Sequence, residues 1–217
     1  MAEEIKASSY ISIEDKALAE VEVNKSRFIA VAYHVESVDE VKKVLSTLKK
    51  SNQKAAHIPY AYMLEADYSI GKNSDDGEPA GSAGFPIYEA IKKHSLTNTM
   101  VAVVRYFGGT ELGKSKLTRT FGFIANEALK LATKYKMIFC NIFDMNVSFT
   151  NYANLGKILT EKNLPILEKD YNDSKPRIKF AVPVNVSDKF LEEIRSKIRE
   201  STTYSKVGTG YYKFMVE

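Results

Sequence analysis

TMVAVVRYF, residues 99–107, is an almost unbroken apolar run ending in an arginine and two aromatics. Such a run is expected of a strand covered on both faces, and a strand of that kind implies helices packed on a sheet. Beyond the Gly108-Gly109 turn, Leu117, Phe121, Ile124, Ala125, Ala128, Leu129 and Ala132 recur at helical spacing and predict a long helix to about Lys134. Before the run, Pro86 fits the first turn of a helix over residues 86–94, where its missing N–H costs nothing. Ala61–Ile70 reads as a strand, and the GKNSDDGEPAGSAGFP that follows reads as a loop. Further upstream, the alternation of Val21, Val23, Phe28, Ala30 and Ala32 predicts two strands joined by a turn at Asn24–Ser26. Ser37 and Glu40 then form an S-x-x-E capping box. Val38, Val41, Leu45 and Leu48 carry that helix to about Ser51-Asn52.

From Phe139 the pattern changes to strand (139–149), helix (151–162), strand (165–171), strand (176–184), helix (187–200) and strand (203–216). This is the βαββαβ order of a ferredoxin-like domain. Asn151 and Ser187 are good N-cap types for its two helices, which carry Leu155, Ile158 and Leu159, and Phe190, Leu191, Ile194 and Ile198, on one face each. The expected organisation is therefore an α+β chain with a β-α domain over 1–137 and a ferredoxin-like domain over 138–217.

Composition excludes several classes. Of 217 residues 44% are hydrophobic and 27% charged, which is a globular balance rather than a disordered one. The start, MAEEIKASSY, has no apolar signal core, and nowhere are there about 18 consecutive apolar residues, so neither export nor a membrane span is expected. Cys140 is the single cysteine and can close no intramolecular disulfide, which suits a reducing cytoplasm. The net charge of +4 is unevenly spread. Residues 1–91 hold 10 Lys/Arg against 15 Asp/Glu, whereas residues 92–136 hold nine against two. A local excess of that kind attracts phosphate-bearing partners, though a solvated basic helix would look the same.

Three segments could carry chemistry. The loop DDGEPAGSAGFP has Gly77, Gly81 and Gly84 within eight residues, costly in backbone entropy, and N–H groups ahead of a helix can form an anion-binding concavity around Gly81 and Ser82. Asp75, Asp76 and Glu78 oppose an anion there, and a tight loop whose acids cap backbone N–H groups is an equal reading. The spacing matches neither a P-loop nor a dinucleotide fingerprint. RYFGGTELGK places Arg105, Tyr106, Gly108 and Gly109 at a strand end, where Arg105 needs a partner such as Asp76 or Glu78. Lys114, Lys116 and Arg119 begin the long helix against its dipole and hint at an external anion. Lys25 and Arg27 are further cationic candidates for that surface. Tyr106 and Phe107 could stack a base, with Phe107 expected in the core.

His57 precedes a strand with Tyr60 and Tyr62 on one face. His57 with Asp76, Glu78 and Arg105 could offer acid/base chemistry, but no Ser or Cys nucleophile motif accompanies it. His34 and His94 read as ordinary surface residues. The three histidines lack metal-ligand spacing, and no cofactor or metal is expected.

NKSRF (24–28), AAHIPYAY (55–62), DDGEPAGSAGFPI (75–87) and NTMVAVVRYFGGTELG (98–113) together resemble the successive signatures of the YigZ/IMPACT family. The resemblance covers residues 24–125 well. It implies a first domain of the ribosomal protein S5 domain 2-like fold, also seen in translocase elongation factor G. It further implies a ferredoxin-like second domain as in the bacterial branch. It implies an association with nucleic acid or ribosomes, as suggested for bacterial members. Eukaryotic members act in translational control through an additional N-terminal domain with no counterpart in this chain. Where the family continues Gly-Gly-Leu-x-Arg-Ala-Tyr, this chain has KSKLTRTFG (114–122), with Ser115 and Lys116 for the glycine pair and Arg119 retained.

Three functions stay open. The first is a cytoplasmic RNA- or ribosome-binding protein using Lys25, Arg27, Gly81, Ser82, Arg105, Tyr106, Gly108, Gly109, Lys114, Lys116 and Arg119. The second is a protein-interaction adaptor with a translation-related partner, and the third is an enzyme built on His57, Asp76, Glu78 and Arg105.

Overall fold

The structure is a computed structural model and describes residues 7–171, 176–198 and 203–215. In chain order the elements are β1 (Ser9–Ile13), β2 (Ala17–Val23), β3 (Ser26–His34), α1 (Val38–Ser51), β4 (Tyr60–Leu64), β5 (Ile70–Ser74), α2 (Gly84–Lys93), β6 (Thr99–Tyr106), α3 (Lys114–Leu131), β7 (Lys134–Asn146), α4 (Phe149–Glu161), β8 (Ile166–Asp170), β9 (Arg177–Pro183), α5 (Ser187–Lys197) and β10 (Thr203–Met215). The architecture is mixed α+β. The chain divides into two compact units, one of Tyr10–Tyr135 and one of Lys136 onward together with the residues up to Ser9.

The first unit is built on an antiparallel sheet of order β2-β3-β6-β4-β5. β6 alternates between two cores. Val101 and Val103 pack with Phe28, Ile87, Leu117 and Phe121 beneath α2 and α3. Met100, Ala102 and Val104 pack with Val41, Leu48, Tyr62 and Leu64 beneath α1. Helices on both faces are the physical reason for the unbroken apolar run, since no residue of β6 before Tyr106 can face water. The β2–β3 turn puts Asn24 and Lys25 at φ 49° and 63°, the two successive positive values that a two-residue hairpin turn requires.

The capping box at α1 forms with one change of partner. Ser37 Oγ accepts the N–H of Glu40, but the Glu40 carboxylate accepts from Glu36, one residue before the cap. The single strand expected over Ala61–Ile70 is instead a hairpin of β4 and β5. Glu65 and Tyr68 adopt φ of 69° and 62°, and the Ser69 N–H donates to Asp67 Oδ1, which reverses the chain. β5 carries the polar residues Gly71, Lys72 and Asn73 at an exposed sheet edge, so no hydrophobic alternation announces it. Only residues 75–83 of the long polar stretch remain loop.

In the second unit β10 pairs β7, β7 pairs β9, and β9 pairs β8. Counted within βαββαβ this is the order 4-1-3-2 of a ferredoxin-like sheet. Leu155 and Leu159 of α4 and Phe190, Leu191 and Ile194 of α5 cover one face, against Phe143, Met145, Ile178 and Phe180. The N-caps differ from expectation. Ser148, not Asn151, caps α4 by accepting the N–H of Asn151, and Ser187 is already helical, donating to Val184 O and accepting from Asn141 Nδ2. Residues 199, 200 and 216, which the expected helix and strand included, lie outside the described residues. Replacing Ser37 or Ser148 by alanine removes one N-cap acceptor and lowers unfolding free energy by about 1 kcal/mol, read as a reduced denaturant midpoint at unchanged slope.

Candidate anion-binding surface

The loop between β5 and α2 is closed on itself. Asp75 Oδ1 accepts the N–H groups of Ala83 and Gly84 at 2.9 and 2.8 Å, and Oδ2 accepts that of Gly81 at 2.8 Å. These are the donors that open the helix, where the dipole favours negative charge. The chain's own carboxylate thus occupies the concavity expected to cradle an external anion around Gly81 and Ser82. Ser82 is fully buried, with its N–H on Pro79 O. Glycine is needed at Gly84 because a Cβ there would lie 2.7 Å from the Ser74 backbone. Burial raises the Asp75 carboxyl, but the bonds from Gly81, Gly84 and Ala83 and the charge of Lys114 outweigh it and hold the group below the usual aspartate range.

One step further along, Glu78 meets Arg105. Arg105 Nη1 lies 2.7 and 2.6 Å from the two Glu78 oxygens, with side-chain exposures of 7% and 1%. The guanidinium sits 5.4 Å from the Phe28 ring and 5.7 Å from the Phe107 ring. The charge of Arg105 is therefore matched inside the fold. Asp76 does not join it. Its carboxylate accepts from the Ile58 N–H and from Lys49 Nζ, and its carbonyl oxygen lies 2.7 Å from His57 Nδ1. A carbonyl can only accept, so His57 carries its proton on Nδ1. Gly77 lies against that ring, where a Cβ would stand 2.7 Å away. His57, Asp76, Glu78 and Arg105 converge, then, but both carboxylates are engaged by backbone, Lys49 and Arg105.

The cations at the start of α3 are placed differently. Gly113, at φ 75°, precedes the helix with no side-chain cap, and no acidic residue occupies the first turn. Lys114, Lys116 and Arg119 are exposed. Lys116 Nζ donates to Asn24 Oδ1 at 3.1 Å, and Arg119 Nη2 donates to Ser115 Oγ at 3.2 Å. Among the described residues neither these three nor Lys25 is ion-paired to a carboxylate. The β2–β3 turn lies beside them, since the Gly108 N–H donates to Ser26 Oγ and a Cβ on Gly108 would overlap the Lys25 backbone. Lys25, Gly108, Gly109, Lys114 and Lys116 thus gather at one end of the first unit, near Asp75.

Two candidates do not belong to this group. Arg27 is ion-paired with Glu20 and lies over Tyr106, its register partner, and Tyr106 donates to Asn52 Oδ1 and packs into the core beneath α1. That is the opposite sheet face. Phe107, expected in the core, is 53% exposed, because β6, the central strand, ends at Tyr106 and the next residue lies beyond the end of the sheet. The helices add two exposed aromatics missing from the expected site, Phe85 and Phe123, each 54% exposed. Their signal lay in the helical period, since Phe123 falls off the stripe formed by Leu117, Phe121, Ile124 and Ala128.

His34 and His94 are half-buried rather than plain surface residues, with His34 Nδ1 3.0 Å from Ser12 Oγ and His94 Nδ1 3.4 Å from Lys134 Nζ. Burial pushes the Cys140 thiol up to about 11. No cluster of three metal-ligating side chains occurs among the described residues, and no helix among them is long and apolar enough to cross a membrane.

Residues 24–129 match the Impact N-terminal domain. The chain is 31% identical over 166 residues to the IMPACT family member YvyE of Bacillus subtilis, covering 76% of each chain. It is 26% identical over 198 residues to an IMPACT family member of Haemophilus influenzae, covering 90% of this chain and 94% of that one. A crystal structure of a hypothetical protein, 24% identical, superposes with a TM-score of 0.60 over 93% of this chain and 98% of its own, and shows the same fold.

Arg105→Ala strands Glu78 as an unpaired buried charge and costs about 3–5 kcal/mol in chemical denaturation, whereas the double change Arg105→Met with Glu78→Leu recovers most of the loss. Asp75 gives a pH signature. Because its folded pKa is lowered, its contribution is whole above the ordinary value of about 3.9 and is lost as pH falls from there through the folded value. Asp75→Asn is accordingly less stable than wild type at pH 7, and the gap in denaturant midpoint narrows as pH drops below about 4.

Proposed function

We propose that this chain, which belongs to the IMPACT family, is a non-enzymatic nucleic-acid-binding protein whose anion surface is the start of α3 with the β2–β3 turn. The observation that carries the reading is a contrast between the two ends of one helix layer. At the C-terminal ends, Lys92 is paired with Glu89 and Lys130 with Glu127, and although Lys93 has no carboxylate partner among the described residues, cations there suit the helix dipole. At the start of α3, Lys114 and Lys116 oppose the dipole, and neither they nor Arg119 has a carboxylate partner among the described residues. Positive charge held against its local field is stabilised by an external polyanion. RNA, free or within the ribosome, supplies one, and it fits the cytoplasmic, translation-related role that the family resemblance implies.

The acid/base reading has less support, because the Asp76 and Glu78 carboxylates are committed to Ile58, Lys49 and Arg105.

Anisotropy titration of a labelled single-stranded RNA across a salt series tests the proposal. Wild type binds at low ionic strength with an affinity that falls linearly in log-log form. The double variant Lys116→Gln, Arg119→Gln binds more weakly, with a slope shallower by about 1.4, at about 0.7 per lost phosphate contact. No binding by wild type at low salt, or an unchanged slope in the variant, overturns it.

A further inference from the structure

Beside the cations of α3 lies a pair of phenylalanines that the fold leaves outside. α2 and α3 run in the same direction, since Gly122 of α3 lies against Pro86 near the start of α2, and just past the ends of both helices Lys134 Nζ lies 3.4 Å from His94 Nδ1. The helices touch where a Cβ on Gly122 would lie 3.5 Å from Pro86 Cβ. With side chains stepping by about 100° per residue, the next position of α2 and the preceding one of α3 turn together toward the sheet. These are Ile87 and Phe121, both fully buried in one core. The opposite steps turn together toward solvent, and these are Phe85 and Phe123, each 54% exposed.

Two half-exposed phenylalanines on the solvent side of one helix layer carry a hydrophobic cost that the core does not explain. Arg119 precedes Phe123 by four residues and shares its helix face about 6 Å away along the axis, and Lys116 lies one turn beyond. Two cations without carboxylate partners among the described residues thus share one face of α3 with Phe123 within two turns, the Arg119 guanidinium turned back toward Ser115. Resting on the nucleic-acid reading above, we infer that Phe85 and Phe123 are a base-stacking platform, and that the ligand class is single-stranded RNA. Its phosphates lie at Lys116 and Arg119, and one or two unpaired bases lie on the rings. A duplex satisfies the cations equally well but keeps its base faces within its own stack, so it gains nothing from the phenylalanines. Base–aromatic stacking tolerates any sequence, because every base has a π-face.

The test compares an unstructured single-stranded RNA dodecamer with a duplex of the same length, each titrated against wild type, Phe85→Ala with Phe123→Ala, and Phe123→Trp. Wild type is expected to prefer the single strand. The double alanine variant loses about five- to a hundred-fold in single-strand affinity with an unchanged salt slope, and its duplex affinity moves less than about twofold. Phe123→Trp keeps single-strand affinity, and its fluorescence is quenched on binding. Wild-type binding that survives loss of both phenylalanines, or a tryptophan that senses no RNA, overturns the platform while leaving the cationic surface standing. The rings then belong to a protein contact. Failure of wild type to bind either RNA removes the underlying reading as well.

Discussion

The first unit turns on one buried ion pair. β6 is covered on both faces, so an arginine at its end has no water to reach, and Arg105 finds its counter-charge in Glu78 from the loop before α2. Burying two charges is costly, and their mutual attraction roughly offsets that cost only when the geometry is good. The pair is better understood as a constraint than as a source of stability. It pins the middle of the 75–83 loop against the sheet, which leaves Asp75 on one side to cap α2 and Asp76 on the other to hold Ile58 and Lys49. The three acids of the loop are thereby committed, each to different partners.

That commitment shapes the electrostatics outside. The glycine loop resembles an anion cradle in composition, yet its donors are satisfied internally by Asp75. Negative potential is drawn inward at the start of α2, and nothing comparable is provided at the start of α3, which begins after Gly113 without a side-chain cap. Two parallel helices in one layer so present different N-termini, one neutralised and one bearing exposed lysines. The aromatic pair at the Pro86–Gly122 crossing extends the second of these into a mixed cationic and apolar surface. Arg27 and Tyr106, though close in sequence to that surface, serve the α1 face.

The elements with strong period were legible from the residues alone. The two-sided apolar run of β6, the α1 cap at Ser37, the α3 stripe and the βαββαβ order of the second unit each follow from local pattern, because burial on a fixed face forces a fixed spacing. β5 was not legible, since an exposed edge strand of Gly, Lys and Asn buries nothing and leaves no alternation. The helix caps of the second unit shifted by a few residues for a related reason. Ser148 and Asn151 are both suitable types, and only backbone geometry chooses between them.

Residue type alone determined that Arg105 required a counter-charge, that the glycines required a tight loop, and that Lys114, Lys116 and Arg119 stood against a helix dipole. Tertiary structure alone decided which acid paired with Arg105, that Asp75 filled the glycine-loop donors, that Tyr106 and Phe107 faced opposite fates, and that Phe85 and Phe123 turned to solvent on the same side of two helices. The physical reason is the range of the interactions. Spacing and dipoles act over one helical turn or one strand and are written in consecutive residues. Charge pairing and side-by-side exposure depend on segments 27 to 38 residues apart in sequence, whose approach exists only once the sheet and its two helical layers have formed.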